Sequence, residues 1–192
     1  MDETFDGTKQ SSTLPSPVGV TVDDFLFAMR ELAGGVAVIT VGSHADITGF
    51  TATSVTSLSA APPRVIVSVT QASSSWPALQ RYGRFGVNLL AQYDEAVADR
   101  FAGRGGLKGA ARYEGASWTT LATGSPLLER ALAALDCEIE ETLPRYDHVI
   151  VIGRVVGLRV RSDCRPLVYW HGQYYRFGQP VDGALSGADR TA

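Results

Sequence analysis

The stretch ALAALDCEIEETLPRYDHVIVIGRVVGLRV, residues 131–160, decides the fold class of this chain. In its first half, apolar residues from Ala133 to Ile139 alternate with acidic residues from Asp136 to Glu140. This period of two predicts a strand with one solvent-facing side. The second half, HVIVIGRVVGLRV, is rich in β-branched residues and predicts another long strand. The second strand therefore follows the first without a helix between them.

On both sides of this stretch, the sequence predicts more strands than helices. Further strands are predicted in VAVITVG (36–42), ITGFTATSVTSLS (47–59), RVIVSVT (64–70) and RFGVNLL (84–90), and a closing hairpin, turning at Gly172 and Gln173, in PLVYWHGQYYRFG (166–178). Three short helices are predicted in TVDDFLFAMRELAGG (21–35), SSSWPALQRYG (73–83) and DEAVADRFAG (94–103). Strands and helices do not alternate, so a β-barrel with helices packed outside it fits better than a doubly wound sheet.

Composition restricts the class of protein. The chain has 192 residues, 45% hydrophobic and 19% charged, with a formal net charge of -3, which predicts one soluble domain. No basic block suggests nucleic-acid binding, and no apolar run is long enough to span a membrane. Two cysteines are too few for a disulfide framework, so a reducing cytoplasm is the expected location. We expect a disordered arm at residues 1–20, one domain at 21–180 and a flexible tail at 181–192.

Several familiar catalytic patterns are absent. His44, His148 and His171 are far apart in sequence, so no metal site is predicted. The loop GRGGLKG (103–109) lacks the Lys-Ser or Lys-Thr pair of a phosphate loop, and no GxGxxG motif occurs. A nicotinamide enzyme with this sequence would bind its nucleotide in another way.

Three features suggest a polar ligand, each with an ordinary structural alternative. The run GFTATSVTSLS (49–59) is rich in hydroxyl groups, but threonine is also common in strands. Ser73, Ser74 and Ser75 precede a predicted helix and suit a phosphate or a simple N-cap. Asn88 interrupts an apolar strand and could hold the edge of a heterocycle or a neighbouring backbone group.

These pieces, in this order, resemble the flavin reductase family with a split β-barrel, the small reductase components of two-component flavin monooxygenases. The matching segments are GGVAVITV, GFTATSVTSLSAAPPRVIVSV, FGVNLLA with RFAGRGGLKG, PLLERALAALDCEIEETLPRYDHVIVIGRV and PLVYWHGQYYRFG, within about Phe25 to Gly178. The resemblance implies a mainly β, six-stranded Greek-key split barrel of the FMN-binding type, working as a homodimer. It implies hydride transfer from NADH or NADPH to FMN or FAD, and delivery of the reduced flavin to a separate monooxygenase.

The resemblance also assigns roles to individual residues. Flavin contacts are expected at Thr51, Ala52, Thr53, Ser54 and, with a weaker match, Ser57; phosphate contacts at Ser73, Ser74 and Ser75; and a flavin-lining segment at Asn88, Leu89 and Leu90. A covering loop is expected to contribute Phe101, Arg104 and Lys108. Asp147 and His148 match an acid–histidine pair, with His148 positioning the nicotinamide, and Tyr169 and His171 belong to a hairpin that can contact the same nucleotide.

Two other functions use the same hydroxyl clusters. One is a non-catalytic flavin- or haem-binding split barrel, and the other is an oxidase of the pyridoxamine-phosphate type. His148 and the closing hairpin favour a nicotinamide site and hence a reductase. The sequence leaves open the choice between FMN and FAD and between NADH and NADPH.

Overall fold

The computed structural model describes residues 19–177. Most of the expected N-terminal arm and all of the expected C-terminal tail lie outside these residues. Within residues 19–177, no helix is long and apolar enough to cross a membrane.

The described residues contain twelve strands, three α-helices and two short 3-10 helices. The strands are β1 (Gly34–Gly35), β2 (Ala37–Ser43), β3 (Asp46–Ala52), β4 (Thr56–Ala60), β5 (Pro63–Thr70), β6 (Arg84–Leu89), β7 (Trp118–Thr119), β8 (Leu127–Leu128), β9 (Ala133–Arg145), β10 (His148–Val160), β11 (Leu167–Trp170) and β12 (Gln173–Arg176). The helices are α1 (Val22–Met29), α2 (Trp76–Tyr82) and α3 (Glu95–Phe101), and the 3-10 turns are Arg104–Gly106 and Gly109–Tyr113.

Seven strands form the principal sheet, in the order β3-β2-β6-β9-β10-β5-β4. All neighbours in this sheet are antiparallel. The mainly β prediction is confirmed, whereas the predicted count of six strands is not, because the principal sheet of the described residues has seven. At its centre, β9 and β10 pair along their whole length, with Arg145 opposite His148. The stretch that decided the fold class is therefore one long hairpin.

The principal sheet curls around a common apolar core. Ile39 of β2, Val67 of β5, Phe85 of β6 and Val151 of β10 are buried in the same cluster. Ser54, just after β3, donates a hydrogen bond to the carbonyl of Ser68 in β5 across 3.1 Å. This contact brings the β3 end of the strand order next to β5, the last strand but one at the other end, as closure into a barrel requires.

A second core cluster lies outside the barrel, beneath α3. Val38, Leu90, Phe101 and Leu127 are buried together there. Gly49 makes this packing possible, because a Cβ atom at that position would lie 2.7 Å from the ring of Phe101. The helix α3 is thereby fixed against β3, next to the segment in which the sequence predicts flavin contacts.

The helix α1 begins as predicted but ends early. Thr21 and Asp24 form a reciprocal capping box at its start. The helix ends at Met29, and Gly34–Gly35, expected to terminate it, instead form β1, which pairs with β11. Val22, Phe25, Met29 and Leu32 recur at helical spacing, but all four are exposed, and the described part of α1 buries none of its side chains.

One residue of β9 departs from the predicted alternation of buried and solvent-facing side chains. Asp136, predicted on the solvent-facing side, is fully buried. Its carboxylate accepts a 2.7 Å hydrogen bond from the backbone N–H of Thr123 and another from the Thr123 hydroxyl. A segment from outside the strand therefore covers this part of the sheet, and irregular pairing with β10 near Gly157 shifts the register at the same place.

Candidate functional site

A small cavity of about 200 Å³ opens at the end of β3. Thr51, Ala52 and Thr53 line one side of it, and Arg104 and Tyr169 line another. These five residues were all predicted as flavin or nicotinamide contacts, so the structure brings them together. The remaining lining residues are Val36, Ala102 and Tyr174.

A large cavity of about 880 Å³ adjoins the small one, between α1 and the β11–β12 hairpin. Thr53 and Tyr169 line both cavities, so the two share a boundary. The predicted residue His171 lies at the rim of the large cavity, where its Nε2 atom is 3.0 Å from the carboxylate of Glu31. The hairpin turn that carries His171 places its backbone at a φ of +49°, followed by Gly172 at +80°.

Three neighbouring elements hold the small cavity in shape. The Thr51 hydroxyl donates a 2.6 Å hydrogen bond to the carbonyl of Ala98, which ties β3 to α3. Arg104 lies over the ring of Tyr174, with 5.6 Å between its Cζ atom and the ring centroid. The ring centroid of Tyr169 is 5.5 Å from that of Tyr174. The cavity therefore combines hydroxyl groups, two aromatic rings and one cation.

The phenol of Tyr174 remains protonated at neutral pH. Its pKa is raised to about 12, with burial as the largest cause. The carboxylate of Asp99 contributes to this increase, both through a hydrogen bond with the phenol and through its negative charge. A neutral phenol can donate a hydrogen bond, which a phenolate cannot.

The predicted phosphate turn and the predicted acid–histidine pair lie next to each other, and neither lines one of the two cavities. The Nδ1 atom of His148 is 2.8 Å from the carboxylate of Asp147, and this hydrogen bond holds the pKa of that carboxyl below its usual range. The backbone N–H of Gln71 donates to the carbonyl of Asp147 across 2.9 Å, and Ser73 donates likewise to Thr70. Both His148 and Asp147 are exposed, and neither lines the small or the large cavity.

Ser75 occupies the predicted N-cap position of α2, but its side chain does not cap the helix. It is fully buried, and its hydroxyl lies 3.1 Å from that of Thr48 in β3. Ser73 is half-buried and Ser74 exposed. Among the three serines, Ser73 and Ser74 are therefore more accessible to a phosphate than Ser75 is.

Three predicted contacts have side chains buried in the core. Asn88 is fully buried, and its amide donates to the carbonyl of Val38 and accepts from the backbone N–H of Leu128. Leu90 and Phe101 are each 1% exposed in the cluster beneath α3. These three side chains therefore pack against other protein groups, and the assignment of Asn88 and Leu90 to the flavin-lining segment and of Phe101 to the covering loop stays a prediction.

The remaining predicted residues line neither the small nor the large cavity. Ser57 and Leu89 line a separate apolar groove of about 420 Å³, with Val55, Leu135 and Leu158. Lys108 is exposed at the start of the second 3-10 turn. The hydroxyl of Ser54 is engaged by the carbonyl of Ser68.

Sequence reasoning missed Tyr174 and Asp99. The closing hairpin was predicted, and its register places Tyr174 directly opposite Tyr169, so a correct turn position would have found it. Asp99 carried no signal of its own, because it lies in an ordinary amphipathic helix.

Several known proteins are similar to this chain. The model of the flavin reductase like domain matches residues 29–178. The FMN reductase (NADH) RutF of Cronobacter sakazakii is 33% identical over 162 residues, covering 84% of this chain and 96% of that protein. The reductase subunit HsaB of a flavin-dependent monooxygenase from Rhodococcus jostii is 35% identical over 150 residues, covering 78% and 75%. The solved structure of the Streptomyces globisporus NADH:FAD oxidoreductase SgcE6, in complex with NAD and FAD fragments, superposes with a TM-score of 0.76 at 26% identity, covering 83% and 94%.

Proposed function

The chain belongs to the flavin reductase like domain family, and from this premise we propose that it is an enzyme that transfers hydride from NADH to FMN or FAD. NADH supplies the hydride and the flavin accepts it, so the protein needs to bind and align the two molecules rather than provide a nucleophile. The names of the relatives specify NADH, which favours it over NADPH as the donor.

One observation supports this proposal most directly: two cavities meet at Thr53 and Tyr169. Hydride transfer requires the reacting atoms to come within roughly 3–3.5 Å. Two ligands that share a boundary of two residues can meet this requirement. The small cavity alone is below the roughly 300–1,000 Å³ usual for ligand sites, but the large cavity extends it.

The lining residues suit a flavin. Ala52 and Tyr169 provide apolar and aromatic surface for a planar ring system, and Thr51 and Thr53 add backbone and hydroxyl groups for its polar edge. Arg104 supplies a positive charge for a flavin phosphate. We assign these five residues to flavin binding and Tyr169 and His171 to the boundary with the nicotinamide nucleotide.

We further propose that the reduced flavin serves a separate monooxygenase, as in the system to which the reductase subunit HsaB belongs. We also propose that residues 21–180 form one domain and that the protein acts in the cytoplasm. The family model covers almost all of that range.

A homodimer would explain the exposed apolar surface of the described residues. Phe25 and Phe27 of α1 are 57% and 68% exposed, and Leu158 beside the apolar groove is 59% exposed. Exposed apolar patches of this kind usually mark an interaction surface. Val55 lines both the apolar groove and the large cavity, so a second copy covering the groove would also border the proposed nicotinamide site.

The test is oxidation of NADH under air by the purified full-length protein, with FMN or FAD added. We expect the absorbance of NADH to fall only when flavin is present. Flavin binding without NADH or NADPH oxidation would refute the reductase and indicate the non-catalytic alternative. Oxidation of an amine substrate by tightly held FMN would indicate the oxidase.

A further inference from the structure

Arg104, the only charged residue that lines the small cavity, already has a counter-ion in the described structure. Its Nη1 atom lies 2.9 Å from the Oδ1 atom of Asp99 in the last turn of α3. Both side chains are partly exposed, 55% for Arg104 and 38% for Asp99. A ligand that enters the small cavity therefore meets a cation that a carboxylate partly neutralises.

The geometry of this ion pair is poor. The Oδ1 atom of Asp99 is shielded from solvent, and within residues 19–177 no well-aligned hydrogen bond reaches it. The pair is therefore held by charge at short distance rather than by the two parallel hydrogen bonds of a forked arginine–carboxylate contact. A phosphate monoester carries about −1.5 to −2 charges and three acceptor oxygens, so it can compete with this single oxygen for the guanidinium group.

The loop around Arg104 allows its side chain to change partners. Gly103, Gly105 and Gly106 have φ angles of +78°, +75° and +72°, a conformation that glycine adopts at little cost. Nothing lies within 4 Å of a Cβ atom built at Gly105 or Gly106, so there is open space beside these two residues.

The other two arginines of this region are committed elsewhere. Arg100 donates to the carbonyl of Ala111 across 2.8 Å, and Arg112 donates to that of Leu107 across 3.0 Å. Both hold the loop backbone together. Arg104 is consequently the arginine of this region that is placed to meet an anionic group in the small cavity.

We propose that Asp99 competes with the flavin phosphate for Arg104 and so weakens flavin binding, which lets the reduced flavin leave the enzyme. This inference rests on the proposed function, because it takes the ligand of the small cavity to be a flavin nucleotide. A reductase that supplies a separate enzyme must release its product, and a competing carboxylate beside the one cation of the cavity provides for that release. Asp99 acts through Arg104 and is a positioning residue.

The experiment compares FMN with riboflavin, which has the same ring system and no phosphate. Asp99→Asn keeps the shape of the side chain and removes its charge. Because exposed ion pairs contribute roughly 0.2–1 kcal/mol, we expect FMN to bind about 1.4- to fivefold more tightly to this variant. Riboflavin affinity should not change. Binding is measured by quenching of flavin fluorescence in the absence of NADH, and the dissociation rate of FMN should fall by a similar factor.

Three controls isolate the phosphate contact. Arg104→Gln should weaken FMN binding, and adding Asp99→Asn to it should have no further effect. Tyr174→Phe removes the phenol next to Asp99 but keeps the carboxylate, so FMN should not bind more tightly. Glu114→Gln removes the same charge from the neighbouring pair with Arg100, at 3.4 Å, and should leave FMN affinity unchanged.

Two results would overturn the proposal while leaving the reductase intact. Weaker FMN binding by Asp99→Asn would mean that Asp99 aligns Arg104 for the phosphate, and equal tightening of FMN and riboflavin would mean that the phosphate is not involved. Failure of the wild-type protein to bind either flavin would instead refute the proposed function, and the inference with it.

Discussion

The amide of Asn88 joins three segments of the chain inside the core. Its nitrogen donates to the carbonyl of Val38 across 3.0 Å and to the hydroxyl of Thr40, and its oxygen accepts from the N–H of Leu128 across 2.7 Å. The sequence showed correctly that a buried amide in an apolar strand must find partners. It could not show which ones, because Leu128 is 40 residues away along the chain. The residue type alone does not show whether Asn88 supports the fold or contacts a ligand. Its partners do, and here they are buried groups of the protein itself.

For Asn88→Ala we therefore expect loss of stability rather than loss of a flavin contact. The substitution leaves the buried N–H of Leu128 without its acceptor, which costs about 1–3 kcal/mol. Urea-induced unfolding measures this change. Flavin titration of the folded variant should give the wild-type affinity, and a weaker affinity at unchanged stability would support the assignment of Asn88 to the flavin-lining segment.

The two cysteines should differ in reactivity because one is buried in the core and the other lies at the surface. Cys137 is fully buried, and burial, with a smaller effect of the Asp136 charge, raises the pKa of its thiol to about 12. Cys164 is half-buried at the surface, with its sulfur 3.2 Å from a guanidinium nitrogen of Arg161. A thiol reagent such as dithionitrobenzoate reacts with the thiolate, so between pH 7 and 10 the native protein should titrate as one thiol.

In guanidinium chloride the second thiol should appear, because the unfolded state restores the ordinary pKa of Cys137. Cys164→Ser should leave the native protein unreactive. Rapid labelling of native Cys164→Ser would contradict the burial of Cys137.

For whole strands and helices, the local sequence pattern predicted where an element lies along the chain, but not which other segments cover it. The period of two and the β-branched residues in 131–160 predicted β9 and β10, and the segment that begins at Thr21 predicted α1. The burial of Asp136 was not predictable, because its cover comes from Thr123, which is not in a strand. The exposure of the apolar residues of α1 was also not predictable, since periodicity indicates a face but not what lies against it.

The β9–β10 hairpin carries a prediction of its own at its turn. His148 lines neither cavity of the described chain, so its predicted contact with the nicotinamide would have to lie outside them. If that contact exists, His148→Ala should raise the KM for NADH more than the KM for flavin. Asp147 lies 2.8 Å from the ring of His148 and fixes its orientation, so Asp147→Asn should shift the same constant in the same direction, but less. Steady-state kinetics with each substrate varied in turn supply the comparison. Equal changes in both constants, or no change, would remove His148 from the nicotinamide site.

At the scale of the whole molecule, the single chain leaves its apolar groove and its large cavity open on adjoining sides. Val55 borders both, and Leu158 stands at the edge of the groove. A low fraction of charged residues, 19%, is consistent with an outer wall that is partly covered. Because composition has no direction, it could not show which wall is covered; the exposed apolar side chains of β10 indicate the groove.

Leu158→Glu tests whether a second copy covers this groove. A charge placed within an apolar contact must be desolvated without a partner, so the variant should dissociate to monomers at concentrations where the wild type is a dimer. Tyr146→Glu is the matched control, because Tyr146 is 86% exposed at the β9–β10 turn and does not line the groove. It adds the same charge and should stay dimeric. Light scattering after size-exclusion chromatography gives the mass of each, and NADH oxidation should fall with dimer content in Leu158→Glu because the groove adjoins the large cavity. A wild-type monomer, or a Leu158→Glu dimer of unchanged mass, would show that this groove is not the interface between copies.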